Sequence, residues 1–229
     1  MQVAFLTEGA TEHAVPFGGS GTEPWEKSSA LQILVERILG LRGRIEMCPT
    51  AGRRPGAGPI LKTGVRFLRD AVRRGARGAV MLIDADGRGQ ERLKRLREHR
   101  ERLYDKGARF HLPVAVGVAV ETIEAWLLAD EDALARVLGV RQRPDQIGSP
   151  EDLKGTKGGG DDPKARLHGW LRQDTEIPRG FLQQVNALIR EIDLDVVAQR
   201  CPKGFAPFRE EVLRNLGPLF APPIRHACE

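Results

Sequence analysis

AVMLIDADG, residues 79–87, opens with five apolar residues and runs straight into Asp84, Ala85, Asp86 and Gly87. A continuous apolar run this short, without alternation, is the pattern of a strand covered on both faces, as in parallel sheets flanked by helices. The acidic turn follows at once, where such a strand would deliver side chains to a ligand. Working backwards, Ile60 to Arg74 carries Leu61, Val65, Leu68 and Val72 at helical spacing, closed by Gly75 and Gly78. The Gly-, Pro- and Arg-rich stretch Thr50 to Pro59 before it is a loop. Arg44 to Cys48 is a plausible strand, and Glu26 to Leu41 is a helix with Ala30, Leu31, Leu34, Val35, Ile38 and Leu39 as its apolar stripe and Gly40 and Gly43 after it. Gln2 to Leu6 is a first strand running into the loop Thr7 to Thr11.

Working forwards, a charged helix from about Gln90 to Lys106 precedes a fourth strand, Leu112 to Val120, with Val114, Val116, Val118 and Val120. Glu121 stands where that strand gives way to a helix containing Trp126, Leu127 and Leu128. Strand and helix alternate throughout, which predicts βαβ units and a mostly parallel α/β sheet of about four strands. After about Val140 the character changes. Pro144, Pro150 and Gly158 to Gly160 mark an exposed loop, and Pro163 to Leu171, Pro178 to Glu191 and Phe205 to Leu216 have helical spacing with Pro near their starts. The expected division is an α/β core over 1–140 and, over 141–229, a loop and helical C-terminal layer packed on that core.

The 229 residues suffice for a real hydrophobic core without staples. The cysteines Cys48, Cys201 and Cys228 are odd in number, far apart and in no zinc-ligand spacing, so reduced thiols are expected. The N-terminal MQVAFLTEGATEH lacks a basic n-region and a cleavage site, and no apolar run is long enough to span a bilayer, so a cytoplasmic location with no membrane partner is expected. Net charge is +5 and the pI about 9.4. From Arg88 to Arg109 there are nine Lys or Arg against four Asp or Glu, an excess equal to that of the whole chain. Such a stretch is either a solvated helix face or a contact for a polyanion.

In an open parallel sheet, ligands bind beyond the carboxyl ends of the strands. The residues there are acidic: Glu8 and Glu12 after the first strand, Asp84 and Asp86 after the third, Glu121 and Glu124 after the fourth. Carboxylates gathered at one edge repel, and a hard divalent cation with oxygen ligands, Mg²⁺ or Mn²⁺, relieves that repulsion. Each alone has an ordinary alternative as a helix cap, a turn residue or an exposed helix position. Trp126, Leu127 and Leu128 read as core packing rather than a stacking platform. His13 is a candidate base or ligand against the commoner exposed histidine at a helix start, and His111 and His168 carry no assignment.

A Glu-Gly pair after the first strand, Glu8 and Gly9, with a later strand ending in DxD, Asp84 and Asp86, resembles the TOPRIM domain of topoisomerases, primases and OLD-family nucleases. More closely, EGATE at 8–12, DADG at 84–87, ETIEAWLLAD at 121–130, DDPK at 161–164 and GFAPF at 204–208 resemble a TOPRIM-like bacterial family often encoded beside ATPases in defence loci. The resemblance implies a Rossmann-like TOPRIM sheet, with Glu8 as the TOPRIM glutamate and catalytic residue, Asp84 and Asp86 as its metal-binding pair, and Glu12 with Glu121 or Glu124 as further ligands. It implies a metal-dependent nuclease of DNA or RNA, working with an ATPase partner. Lys164 would add positive charge at the transferring phosphate, against an ordinary first-turn lysine after Pro163. Arg88 and Lys94 would hold the nucleic acid backbone.

Two rivals fail on position. A haloacid dehalogenase-type phosphatase needs its DxD after the first strand, and a P-loop NTPase needs GxxxxGK[ST], which is absent. The alternative that survives is a TOPRIM-like module that binds metal and nucleic acid, or senses a partner, without cutting.

Overall fold

The computed structural model describes residues 1–7, 29–48, 60–84, 89–105, 112–120, 122–139, 148–153, 162–171 and 181–221. Four strands, β1 (Gln2–Thr7), β2 (Glu46–Met47), β3 (Gly78–Asp84) and β4 (Val114–Ala119), form one sheet in the order β2-β1-β3-β4. Every pairing is parallel: Val3 lies opposite Met47 and Gly78, Thr7 opposite Leu82, and Asp84 opposite Ala119. All residues of β4 and all but Asp84 of β3 are buried, as their apolar runs predict.

Helices cover both faces of the sheet, because strands so apolar leave neither face for water. The pleat sorts the side chains. Val3, Phe5, Val80, Leu82, Ala115 and Ala119 pack with α1 (Ala30–Ile38), α4 (Ile123–Leu127), α5 (Glu131–Leu138), α7 (Phe181–Glu191), α8 (Leu194–Arg200) and α9 (Phe205–Phe220). Ala4, Leu6, Met81, Ile83, Val116 and Val118 face α2 (Ile60–Arg73) and α3 (Gly89–Asp105) through Phe67, Leu68, Ala71, Leu93 and Leu96. The helix α6 (Pro163–Leu171) completes the first layer through Leu167 and Leu171. This is a Rossmann-like α/β layout. The last helix, α9, lies directly on β4: a Cβ on Gly117 would strike the ring of Phe208, and one on Gly78 would meet Leu216 at 2.9 Å.

The elements match the sequence pattern closely, and α6 has the bounds expected for it. The second strand is the main shortfall, two residues where Arg44 to Cys48 was expected. Its approach is set by a buried carboxylate instead: Glu36 of α1 accepts from the N–H groups of Gly43 and Ile45 at 3.0 and 2.8 Å, and Gln32 donates to the Ile45 carbonyl at 2.9 Å. The helix α8 was not anticipated. Asp193 caps it, accepting from Asp195 and Val196 N–H.

Candidate functional site

The strand order reverses beside β1: the chain leaves β1 toward β2 on one side and reaches β3 on the other. The crossover helix α1 lies on one face of the sheet and α2 on the opposite one. The space beyond the carboxyl ends of β1 and β3 is therefore a topological switch point, the place at which open α/β sheets bind ligands. β1 ends there at Thr7 and β3 at Asp84. Of the sequence candidates at this edge, Asp84 is the one whose placement is described. Glu8, Glu12, Asp86, Arg88 and Glu121 lie outside the described residues. Asp84 is half-buried, and its carbonyl accepts from the Arg92 guanidinium, which ties the start of α3 to the end of β3. Among the described residues no group of three His, Cys, Asp or Glu is placed to hold a metal ion.

At the exit of β4 the structure joins two candidates. Glu124, in the first turn of α4, has its side chain 3% exposed, with the Lys164 ammonium of α6 at 3.9 Å. Among the described residues this is its one side-chain partner. Two residues earlier, Thr122 stands at the N-cap of α4, but its hydroxyl, whose oxygen is buried, has no hydrogen-bond partner among the described residues. Lys164 is half-exposed, its own N–H donating to the Asp162 carboxylate at 3.1 Å. The lysine and the glutamate, assigned separately from sequence, thus stand together beyond β4. Lys94 of α3 is exposed, with Glu98 one turn away at 3.9 Å.

Glu151 went unnoticed in the sequence. It lies in a 3₁₀ turn, Pro150–Asp152, and is buried. Its carboxylate accepts from Trp126 Nε1 at 3.2 Å and from the N–H groups of Lys203, Gly204 and Phe205 at 2.8, 2.8 and 3.2 Å. The last three are at the start of α9, so Glu151 caps that helix from a distant segment. Burial pushes its pKa above the ordinary carboxylate value, opposed by these donors. Gly204 is required by close approach: a Cβ there would meet Glu151 Oε1 at 2.6 Å and the Val118 carbonyl at 2.8 Å. Trp126 is fully buried, edge-on to Phe205 at 5.3 Å and stacked on Phe208 at 5.6 Å, as core packing predicts. GFAPF and the tryptophan of ETIEAWLLAD therefore lock α9 to β4 and α4, a structural task.

Glu211 of α9 is the second buried anchor. It accepts from Arg97 at 3.0 Å and from Arg100 at 2.5 Å, both on α3, and from Asn215 at 3.0 Å. Part of the basic stretch is thereby committed to the fold. The thiols of Cys48 and Cys201 are buried and free, and burial pushes both pKa values up, which leaves them inert. Among the described residues no helix is long and apolar enough to cross a membrane.

Fold and edge define a class: a parallel α/β sheet whose strand ends at the switch point lead into carboxylate-rich segments. Within that class, the chain belongs to the family described as "Domain of unknown function (DUF4276)", whose match covers residues 27–212. The matched span includes Asp84, Asp86, Glu121, Glu124, Lys164 and GFAPF and begins after Glu8 and Glu12. No curated protein and no solved structure matches the chain.

Proposed function

We propose that this protein is a TOPRIM-like, Mg²⁺- or Mn²⁺-dependent enzyme that hydrolyses phosphodiester bonds in DNA or RNA, acting with an ATPase partner. The observation that carries this reading is the parallel register of β1 and β3 at the switch point: β1 stops one residue before Glu8, and β3 stops at Asp84, two before Asp86. The donor chemistry fits a hard cation, since every candidate there is a carboxylate oxygen. Glu8, Asp84 and Asp86 would hold the cation, with Glu12 and Glu121 or Glu124 as further ligands. The cation would supply Lewis acidity at phosphorus and a nucleophilic water at neutral pH. The chain's own part is to hold the reacting phosphate at this edge, with Lys164 contributing positive charge beside Glu124 and Arg88 and Lys94 contacting the backbone.

Thermal melts with and without Mg²⁺ or Mn²⁺ test the cation, because a ligand that binds only the folded state raises its stability by mass action. Wild type should shift upward, and Asp84→Ala should lose most of the shift while melting no lower in metal-free buffer. An undiminished shift in Asp84→Ala removes the assignment. Cleavage of single- and double-stranded DNA and RNA, alone and with any ATPase encoded beside it, tests the chemistry. Glu8→Gln should abolish it. Equal trace cleavage by both proteins in every condition leaves a non-catalytic metal- and nucleic-acid-binding module.

A further inference from the structure

The two helices on the α2–α3 face of the sheet differ in how their arginines are used. On α3, Arg95 pairs with Glu91, Lys94 with Glu98, and Arg97 and Arg100 with Glu211, while Arg92 binds the Asp84 carbonyl. On α2 the buried side is Phe67, Leu68 and Ala71, and the outward side presents Arg66, Arg69 and Arg73, all exposed. Unlike Arg74, which pairs with Asp70 at 3.0 Å, these three have no ion pair or side-chain hydrogen bond among the described residues. Arg77, exposed in the turn that follows, is likewise without one.

At 100° per residue, Arg66, Arg69 and Arg73 fall within an arc of about 60°, and from first to last they span about 10 Å. That length matches about three phosphates along one strand of a duplex. The helix runs from the carboxyl edge of the sheet, after β2, back to the amino end of β3, so the row leads away from the switch point. Asp70, the acidic residue of this helix, pairs with Arg74, and a row of arginines that makes no ion pair among the described residues costs self-repulsion that a polyanion relieves. Guanidinium groups are the side chains best suited to phosphate oxygens.

We infer that the exposed face of α2 binds the nucleic acid backbone through Arg66, Arg69 and Arg73. This rests on the nucleic acid reading above and is independent of its metal chemistry. The experiment is fluorescence anisotropy of labelled 30-nucleotide single strands and 30-base-pair duplexes of DNA and RNA, in EDTA, across a salt series. In the Arg66→Glu/Arg69→Glu/Arg73→Glu protein affinity should fall more than tenfold, and the slope of log K against log salt should shrink by about 2 to 3 as three phosphate contacts are lost. Arg66→Gln/Arg69→Gln/Arg73→Gln, gentler on folding, should show the same slope change. Arg95→Gln/Arg214→Gln, at exposed arginines already paired with Glu91 and Glu210, should change affinity less than threefold. Wild-type binding that the α2 variants leave intact overturns the α2 surface alone. Failure of wild type to bind any of these probes at low salt overturns the nucleic acid reading with it.

Discussion

Glu151 accepts from Trp126 and Glu124 lies two residues before that tryptophan in α4, each a carboxylate with its side chain almost wholly out of water, and they are treated in opposite ways. Glu151 is surrounded by four N–H donors within 3.2 Å. Glu124 has, among the described residues, one ammonium at 3.9 Å, beyond hydrogen-bonding distance, and two residues earlier the buried Thr122 hydroxyl has no hydrogen-bond partner among them. Buried polar groups that serve only the fold are normally satisfied, because an unmet donor or acceptor costs about 1 to 3 kcal/mol. The contrast separates a carboxylate that holds the structure together from one that, among the described residues, keeps bonding capacity in reserve at the sheet's carboxyl edge.

The strongest test of that contrast is Glu151→Ala. Three backbone N–H groups at the start of α9 and the Trp126 indole would lose their acceptor together, and the expected loss is about 3 kcal/mol or more by urea denaturation. Glu124→Gln, equally buried, should cost less than about 1 kcal/mol, since its partner is distant and half-exposed. Equal losses in the two proteins would erase the distinction.

Glu211→Ala comes next. It leaves Arg97 and Arg100 without their buried partner, and because Arg97 is itself 39% exposed the expected loss is about 2 kcal/mol, below that of a fully enclosed pair. A loss below 0.5 kcal/mol would show that α3 and α9 are held by apolar packing alone, and would return both arginines to the pool available for polyanions.

The sequence patterns made the architecture legible because each strand's apolar run, such as Ala79 to Ile83, can be buried only between two helical layers. Four of the acidic candidates lie outside the described residues, so of the expected site the structure gives the frame, the ends of β1 and β3, and adds a pairing of Glu124 with Lys164 that the sequence did not show. Glu151 was not legible. A Pro-Glu-Asp turn has no periodicity, and its partners at Lys203 to Phe205 are some fifty residues away, so their meeting is a fact of tertiary packing. The charge count over Arg88 to Arg109 could not sort that stretch for the same reason. Charge counts cannot reveal that Glu211, over a hundred residues later, claims Arg97 and Arg100.

A smaller effect concerns pH. The folded state holds Glu151 with its pKa raised by burial, so between the ordinary carboxylate value, about 4.3, and that raised value the native protein binds more protons than the unfolded chain. This group's contribution is then largest below the ordinary value and declines as pH rises through the raised one, opposite in sign to a salt-bridged carboxylate. In Glu151→Gln that component is absent. The stability of wild type minus that of Glu151→Gln, measured by denaturant titration from pH 4 upward, should fall with increasing pH. A difference that rises instead would mean the N–H donors outweigh burial.

The smallest expected change is also the one that bears most on Glu124. Lys164→Met keeps the length of the side chain and removes the charge beside the carboxylate, and the metal-free protein should lose less than about 1 kcal/mol because the lysine is 52% exposed. If the reserve of Glu124 is meant for a divalent cation, the ammonium competes with that cation for the same oxygens. Its removal should then enlarge the rise in melting temperature produced by Mn²⁺ or Mg²⁺, and adding Glu124→Gln to Lys164→Met should cancel the enlargement. A metal shift identical in wild type and Lys164→Met takes Glu124 out of the cation's ligand set and leaves that role to the carboxylates at the ends of β1 and β3 and to Glu121.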